Sequence, residues 1–261
     1  MPENDLMTFG GHLEVLRRIL FRVAAVTLIL ACVIFAFKTA TFNLLLAPSE
    51  WDFVTYRWIE RLCRIFNPAF HFNEFHVDLI ATDLSSQFMT HISTSFYLGL
   101  LCASPFILFE LVRFISPALL ENEKRYSTRI VATIYLLFLV GVLMSYYILF
   151  PISFRFLGTY SVADKIHSTI TLDSYISTFV SLTLLMGLVF QLPVIAFIMA
   201  KMGFIKADVL IHYRSYAFLI ICLVAAIITP PDVLTLILVA IPLYLLYEIS
   251  IKVIKKVSLS E

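Results

Sequence analysis

The sequence predicts an all-α, polytopic membrane protein: six transmembrane helices, both termini on one side, the fifth and sixth spans short. Three observations carry this. Of 261 residues, 61% are hydrophobic and 14% charged, with a mean hydropathy of +0.94; a water-soluble domain carries about 25% charged residues. The apolar residues gather into six runs separated by charged or proline-rich corners. Runs of about 20 residues match a hydrocarbon layer of roughly 30 Å. Finally, the 19 Lys and Arg residues divide unequally between the two sets of corners.

Residues 1–18 read as a cytoplasmic amphipathic N-terminus. Leu13, Leu16 and Leu20 fall at helical spacing, so a short helix is expected to lie on the membrane and feed the first span. No Lys or Arg precedes Arg17, and no small-residue cleavage site follows closely after the apolar run; a removable signal peptide is not expected. Span one is about Ile19 to Phe37, with Arg22 one turn inside and able to snorkel back to the surface. Residues 38–90 form an outer loop in which Leu44–Pro48 and Phe53–Phe66 read as helices along the opposite face.

Span two, about Ile92 to Val112, contains Pro105, which is expected to kink it. The loop at 113–129 turns at Pro117, because proline lacks the amide proton and disfavours helix at the residue before it. Span three, about Ile130 to Phe150, is expected to stop at Pro151, and an outer loop at 152–173 follows. Span four, about Ile176 to Ala200, holds Gln191 and Pro193. A corner at 201–215 leads to span five, Tyr216 to Thr229, and Pro230-Pro231-Asp232 makes a tight hairpin into span six, Val233 to Tyr247, kinked near Pro242. At about 14 and 15 residues these last spans reach only about 20–23 Å. They read as a short hairpin that pinches the outer leaflet or docks a partner. The whole chain, 1–261, reads as one integral membrane domain.

Six spans put both termini on one face. That face collects Arg17, Arg18, Arg22, Arg113, Lys124, Arg125, Arg129, Lys201, Lys206, Arg214, Lys252, Lys255 and Lys256, against Lys38, Arg57, Arg61, Arg64, Arg155 and Lys165 on the other. The bias places both termini in the cytoplasm.

Catalytic chemistry is not indicated. The seven glycines never form Gly-x-Gly, and no Gly-Lys-Ser/Thr occurs, so ATP hydrolysis is not expected. His71 and His76 flank Glu74 at a spacing unlike a zinc helix and read as solvated loop residues. Three of the four cysteines lie in apolar runs, so no disulfide framework is expected. The chain reads as a receptor or conduit, with no cofactor, no metal and no enzymatic activity.

The polar groups are more informative. Glu14 and Glu123 fall in the two cytoplasmic corners that flank spans one to three. Each carboxylate can take a guanidinium as a fork, so a partner with two adjacent arginines matches the pair. The alternative is local: Glu14 with Arg17 or Arg18, and Glu123 with Lys124 or Arg125, exposed pairs that contribute little. Gln191 precedes a proline in mid-span and can bond backbone groups that Pro193 frees, or act as interhelical glue. Glu110 either pairs with Arg113 on its own helix or faces a groove. Asp232 is placed to cap span six, and Glu248 is offset by Lys252 one turn on.

Several of these stretches resemble the TatC family, the receptor subunit of the twin-arginine protein translocase. His12-Leu13-Glu14-Val15-Leu16-Arg17 is similar to its N-terminal His-Leu-x-Glu-Leu-Arg signature, and Pro117-Ala118-Leu119 with Glu123 to its first cytoplasmic loop. Phe190-Gln191-Leu192-Pro193 resembles its Phe-Glu-x-Pro, and Arg214-Ser215-Tyr216 the entry to its fifth span. Thr229-Pro230-Pro231-Asp232, Ala240-Ile241-Pro242 and Leu246-Tyr247-Glu248 resemble its most specific signature. The resemblance implies a multi-pass inner-membrane receptor for twin-arginine signal peptides of folded cargo. It further implies assembly with single-span TatA-like and TatB-like subunits into a homo- or hetero-oligomer, driven by the proton gradient. On it, Glu123 with Lys124 and Arg125, and Glu14 with Arg17, become the signal-peptide site.

There are three departures. Val15 stands where the family's first glutamate falls, with Glu14 one residue earlier, about 100° round a helix. Gln191 replaces a family glutamate, so any role needing ionisation is lost. Thr235-Leu236 stand where a Ser-Gln pair often follows the Pro-Pro-Asp turn. The alternative function is a secondary transporter of a small solute; such proteins show inverted repeats and mid-membrane ionisable groups, and neither is found in these residues.

Overall fold

The computed structural model describes residues 9–67, 75, 77–115, 127–161, 163, 169–229 and 232–258. The expectations for His71, Glu74, His76, Pro117, Glu123, Lys124, Arg125, Pro230 and Pro231 lie outside them. Helix dominates, as it must where backbone groups have to be satisfied inside hydrocarbon. Contacts divide the chain into two compact units, Met1–Lys38 with His91–Tyr135, and Thr39–Thr90 with Leu136–Glu261.

The first unit contains α1 (Phe9–Ala36), most of α4 (Ser86–Ile115) and the start of α5 (Ser127–Met144). The N-terminal amphipathic stretch is not a separate surface helix. No Gly or Pro interrupts the chain between Gly11 and Phe37, so from Phe9 it is one helix with the first span. α4 starts six residues earlier than the spacing suggests and runs unbroken through Pro105.

The second unit holds α2 (Lys38–Leu46), α3 (Val54–Phe66), α6 (Phe150–Thr159), α7 (Leu172–Val189), α8 (Leu192–Lys201), α9 (Ala207–His212), α10 (Arg214–Ile228) and α11 (Val233–Ser258). Besides helix, two-residue strands β1 (Leu79–Ile80) and β2 (Ile170–Thr171) pair in parallel, Leu79 with Ile170 and Ile80 with Thr171. They join the two long loops that the sequence places outside the spans. The core of this unit is aromatic: Phe150 meets Tyr175 and Phe179 edge-on at 4.9 and 5.0 Å. Closer to α8 the helices nearly touch: a Cβ on Gly141 would lie 2.6 Å from the Met186 carbonyl oxygen, so only glycine fits there.

Pro151 does not end the third span. α5 passes through a π-turn at Ser145–Leu149 directly into α6, and the helix ends at Thr159. Proline deprives the carbonyl four residues back of its partner. That carbonyl belongs to Tyr147, and the Thr55 hydroxyl of α3 donates to it instead. The Tyr56 hydroxyl lies 2.9 Å from the carbonyls of Pro151 and Pro48, donating to them. Burial pushes the Tyr56 phenol well above its ordinary pKa, and Arg155, its guanidinium 5.3 Å from the ring centroid, opposes the rise. With backbone and hydroxyls satisfied, the helix continues where the loop at 152–173 was expected to begin.

The sixth span is likewise longer than the sequence reading. α11 has 26 residues and continues past Tyr247 to Ser258, through Pro242. Charges at Glu248, Lys252, Lys255 and Lys256 end the apolar run, yet these residue types favour helix. α10, the helix expected as span five, is short: it has 15 residues, about 22 Å against a hydrocarbon layer of roughly 30 Å. Among the described residues, five helices are long and apolar enough to cross a membrane: Leu13–Ala36, Ser86–Phe114, Val131–Thr159, Leu172–Lys201 and Val233–Lys256. All four cysteines are free.

Thr55→Val leaves the Tyr147 carbonyl without its donor and is expected to cost about 1–3 kcal/mol in thermal unfolding. In a Pro151→Ala background, where a backbone N–H becomes available, the penalty shrinks; an equal penalty in both backgrounds contradicts the compensation.

Candidate functional site

α1 and α4 pack antiparallel within the first unit, and three levels of contact define the pair. Phe35 stacks on His91, ring centroids 4.1 Å apart. Ala31 lies against Gly99, where an added Cβ would come within 2.9 Å of the Ala31 backbone nitrogen. At the third level Arg22 Nη1 donates to Glu110 Oε1 at 2.8 Å. Glu110 is only 2% exposed, whereas half of the Arg22 side chain reaches the surface. Among the described residues Glu110 Oε2 has no hydrogen-bond partner.

This pairing corrects two sequence readings. Glu110 does not take Arg113, its near neighbour on α4, and Arg22 does not simply snorkel to the surface. The signal was present: Arg22 is the only charge in the first apolar run, and Glu110 the only carboxylate in the second. Lone charges of opposite sign inside two adjacent spans each lose hydration, and pairing offsets that loss.

Toward the start of α1 the charges continue at four-residue intervals. Arg22 Nε lies 3.4 Å from the Arg18 carbonyl, and Arg18 Nη2 donates to Glu14 Oε1 at 2.5 Å. Residues four apart occupy one side of a helix, so Glu14, Arg18 and Arg22 form a stripe ending on Glu110. Both Glu14 and Arg18 are more than half exposed. Arg17, also exposed, sits one position round the helix. A pair so open to water is easily exchanged: an incoming guanidinium can replace Arg18 on Glu14 while the buried pair keeps α1 in place. Glu123, Lys124 and Arg125 lie outside the described residues.

In the second unit, Gln191 sits where span four breaks, between α7 and α8. Its backbone N–H turns to the Leu188 carbonyl at 2.9 Å, which frees the Gly187 carbonyl four residues back. The side chain then donates Nε2 to that carbonyl at 3.3 Å. The amide thus repairs the turn at its own position, while Pro193 occupies the first turn of α8. Asp232 caps α11 as the sequence suggests, accepting from the Thr235 amide at 2.7 Å. Glu248 differs: its partner is Arg214 at 2.9 Å, not Lys252, with the Tyr244 hydroxyl at 3.3 Å. Arg214 is 34 residues away in sequence, out of reach of any helical-spacing argument. Tyr247 adds a bond to the Leu210 carbonyl at 2.7 Å, so the corner at 201–215 is fastened to α11.

Arg22→Met strands the Glu110 carboxylate and is expected to cost about 2–4 kcal/mol in thermal unfolding in detergent, and Arg22→Met/Glu110→Leu to recover most of it. Equal loss in the single and double variants contradicts the pairing.

The geometry can be set beside known proteins. The profile of the family described as Sec-independent protein translocase protein (TatC) matches residues 11–242. The TatC protein of Blattabacterium sp. subsp. Periplaneta americana is 33% identical over 253 residues, covering 95% of each chain. That of Carboxydothermus hydrogenoformans is 31% identical over 255 residues, covering 97% of this chain and 95% of the relative. Among solved structures, a crystal structure of the twin arginine translocase receptor TatC superposes with a TM-score of 0.75 at 32% identity, covering 95% of this chain and 99% of that one.

Proposed function

Since the chain belongs to the TatC family of Sec-independent protein translocase proteins, we propose that it is the receptor of a twin-arginine translocation system, binding the signal peptides of folded cargo. The observation that carries this is an exposed carboxylate, Glu14, on a helix whose position is fixed by a buried ion pair. Glu123, with Lys124 and Arg125 beside it, supplies the second acidic group for the arginine pair, and Arg17 borders the first. Planar guanidinium groups satisfy such carboxylates in a bidentate way that ammonium groups do not.

The chain crosses the inner membrane six times as a single integral unit, α10 included, with both termini in the cytoplasm, as the cation bias supports. It acts as a binding and assembly subunit, not a catalyst. TatA-like and TatB-like single-span subunits join it in an oligomer, and the proton gradient drives transport. Gln191 contributes here by completing the turn in span four and carries no charge through the cycle.

A synthetic twin-arginine signal peptide bound to the purified protein in nanodiscs is expected to lose roughly tenfold or more in affinity on Glu123→Gln, about 1.4 kcal/mol. A twin-lysine peptide should bind the parent protein comparably weakly. Equal affinity for both peptides removes the ion-pair recognition from the proposal.

A further inference from the structure

We infer that α3 is a lipid-binding element: it lies in the interface at the level of Tyr147 and Pro151 of the third span, its apolar stripe inserted among acyl chains. Thirteen residues make about 20 Å of helix, too short to cross. Val54, Trp58, Leu62, Ile65 and Phe66 are all exposed, Trp58 at 64% and Phe66 at 91%. At 100° per residue they occupy one arc of about 120°. Arg57, Arg61 and Arg64 run along one border of that arc, with Arg57 near Asp52 and Arg64 on Glu60. The other border is the face that α3 buries, carrying Thr55 and Tyr56.

Depth identifies what covers the stripe. Thr55 and Tyr56 moor α3 to Tyr147 and Pro151 of the third span. From Val131, where that span begins, Tyr147 is about 24 Å and Pro151 about 30 Å along the helix. A hydrocarbon layer of roughly 30 Å therefore ends at the mooring. A helix fixed at that level with an apolar arc beside cations has the form of an interfacial helix: apolar side chains among acyl chains, an amphipathic Trp at the boundary, arginines in the headgroups. The occupant is the phospholipid layer itself.

The chain has two tryptophans, Trp51 and Trp58, so Trp51→Phe makes Trp58 a sole reporter. Single copies of this variant in nanodiscs are titrated with aqueous iodide and, separately, reconstituted with phospholipid brominated near the headgroup or at mid-chain. Lipid brominated near the headgroup should quench Trp58 about twofold or more beyond mid-chain lipid, with iodide reaching it poorly. Quenching by iodide without quenching by brominated lipid overturns the inference, as does shielding from both, which means that protein covers the stripe. A spin label at Phe66→Cys, with the four native cysteines changed to Ser, is an independent readout: greater collision with oxygen than with a water-soluble nickel chelate supports lipid contact, and the reverse overturns it.

Discussion

One ion pair settles how the first unit is built. A guanidinium in the first apolar run and a carboxylate in the second would each be costly alone in hydrocarbon. At 2.8 Å, Arg22 and Glu110 remove that cost from one another, and because they lie on different helices the pairing also selects a register. Ala31 against Gly99 and Phe35 against His91 follow from the same alignment. The half-exposed side of Arg22 leads out to Arg18 and Glu14, so the buried charge underlies the position of the exposed one. The proposed receptor role uses both: Arg22 and Glu110 stay in place while Glu14 changes partner.

Backbone economy plays the same part in the second unit. A proline and a turn each leave a carbonyl in want of a donor, and a side chain answers each. Thr55 serves the Tyr147 carbonyl ahead of Pro151, and Gln191 serves Gly187 ahead of Pro193. In water these groups would simply be hydrated; in a bilayer each would cost several kcal/mol, of order the value for an amide in apolar surroundings. A helix that looks interrupted in sequence therefore runs on, and the loop helix α3 becomes tied to the span it repairs.

The membrane class, the order of the apolar segments, the helix at 54–66, the short helix at 214–228 and the Asp232 cap were all legible in the sequence, because each rests on composition or on neighbours within four residues. Pro151 as a stop was misleading, since its remedy comes from Thr55, almost a hundred residues earlier. The sixth span was read short because charge marks the edge of hydrocarbon but not the end of a helix. Glu248 was assigned Lys252 on its own helix, and Glu110 either Arg113 on its own helix or a groove, where the partners are Arg214 and Arg22. Local spacing names what is near along the chain. Pairing across helices becomes visible only when the lone charges of different spans are weighed against each other.

The reciprocal exchange Arg22→Glu with Glu110→Arg, read as affinity for a twin-arginine peptide in nanodiscs, tests the role of the buried pair most directly. Each single change places like charges together and should weaken binding sharply. The double change restores opposite charges across the same helix pair and should return affinity to near the parent value. If both single variants fold and bind as the parent does, or if the exchanged pair folds yet stays as weak as either single change, the buried pair does not position the binding face.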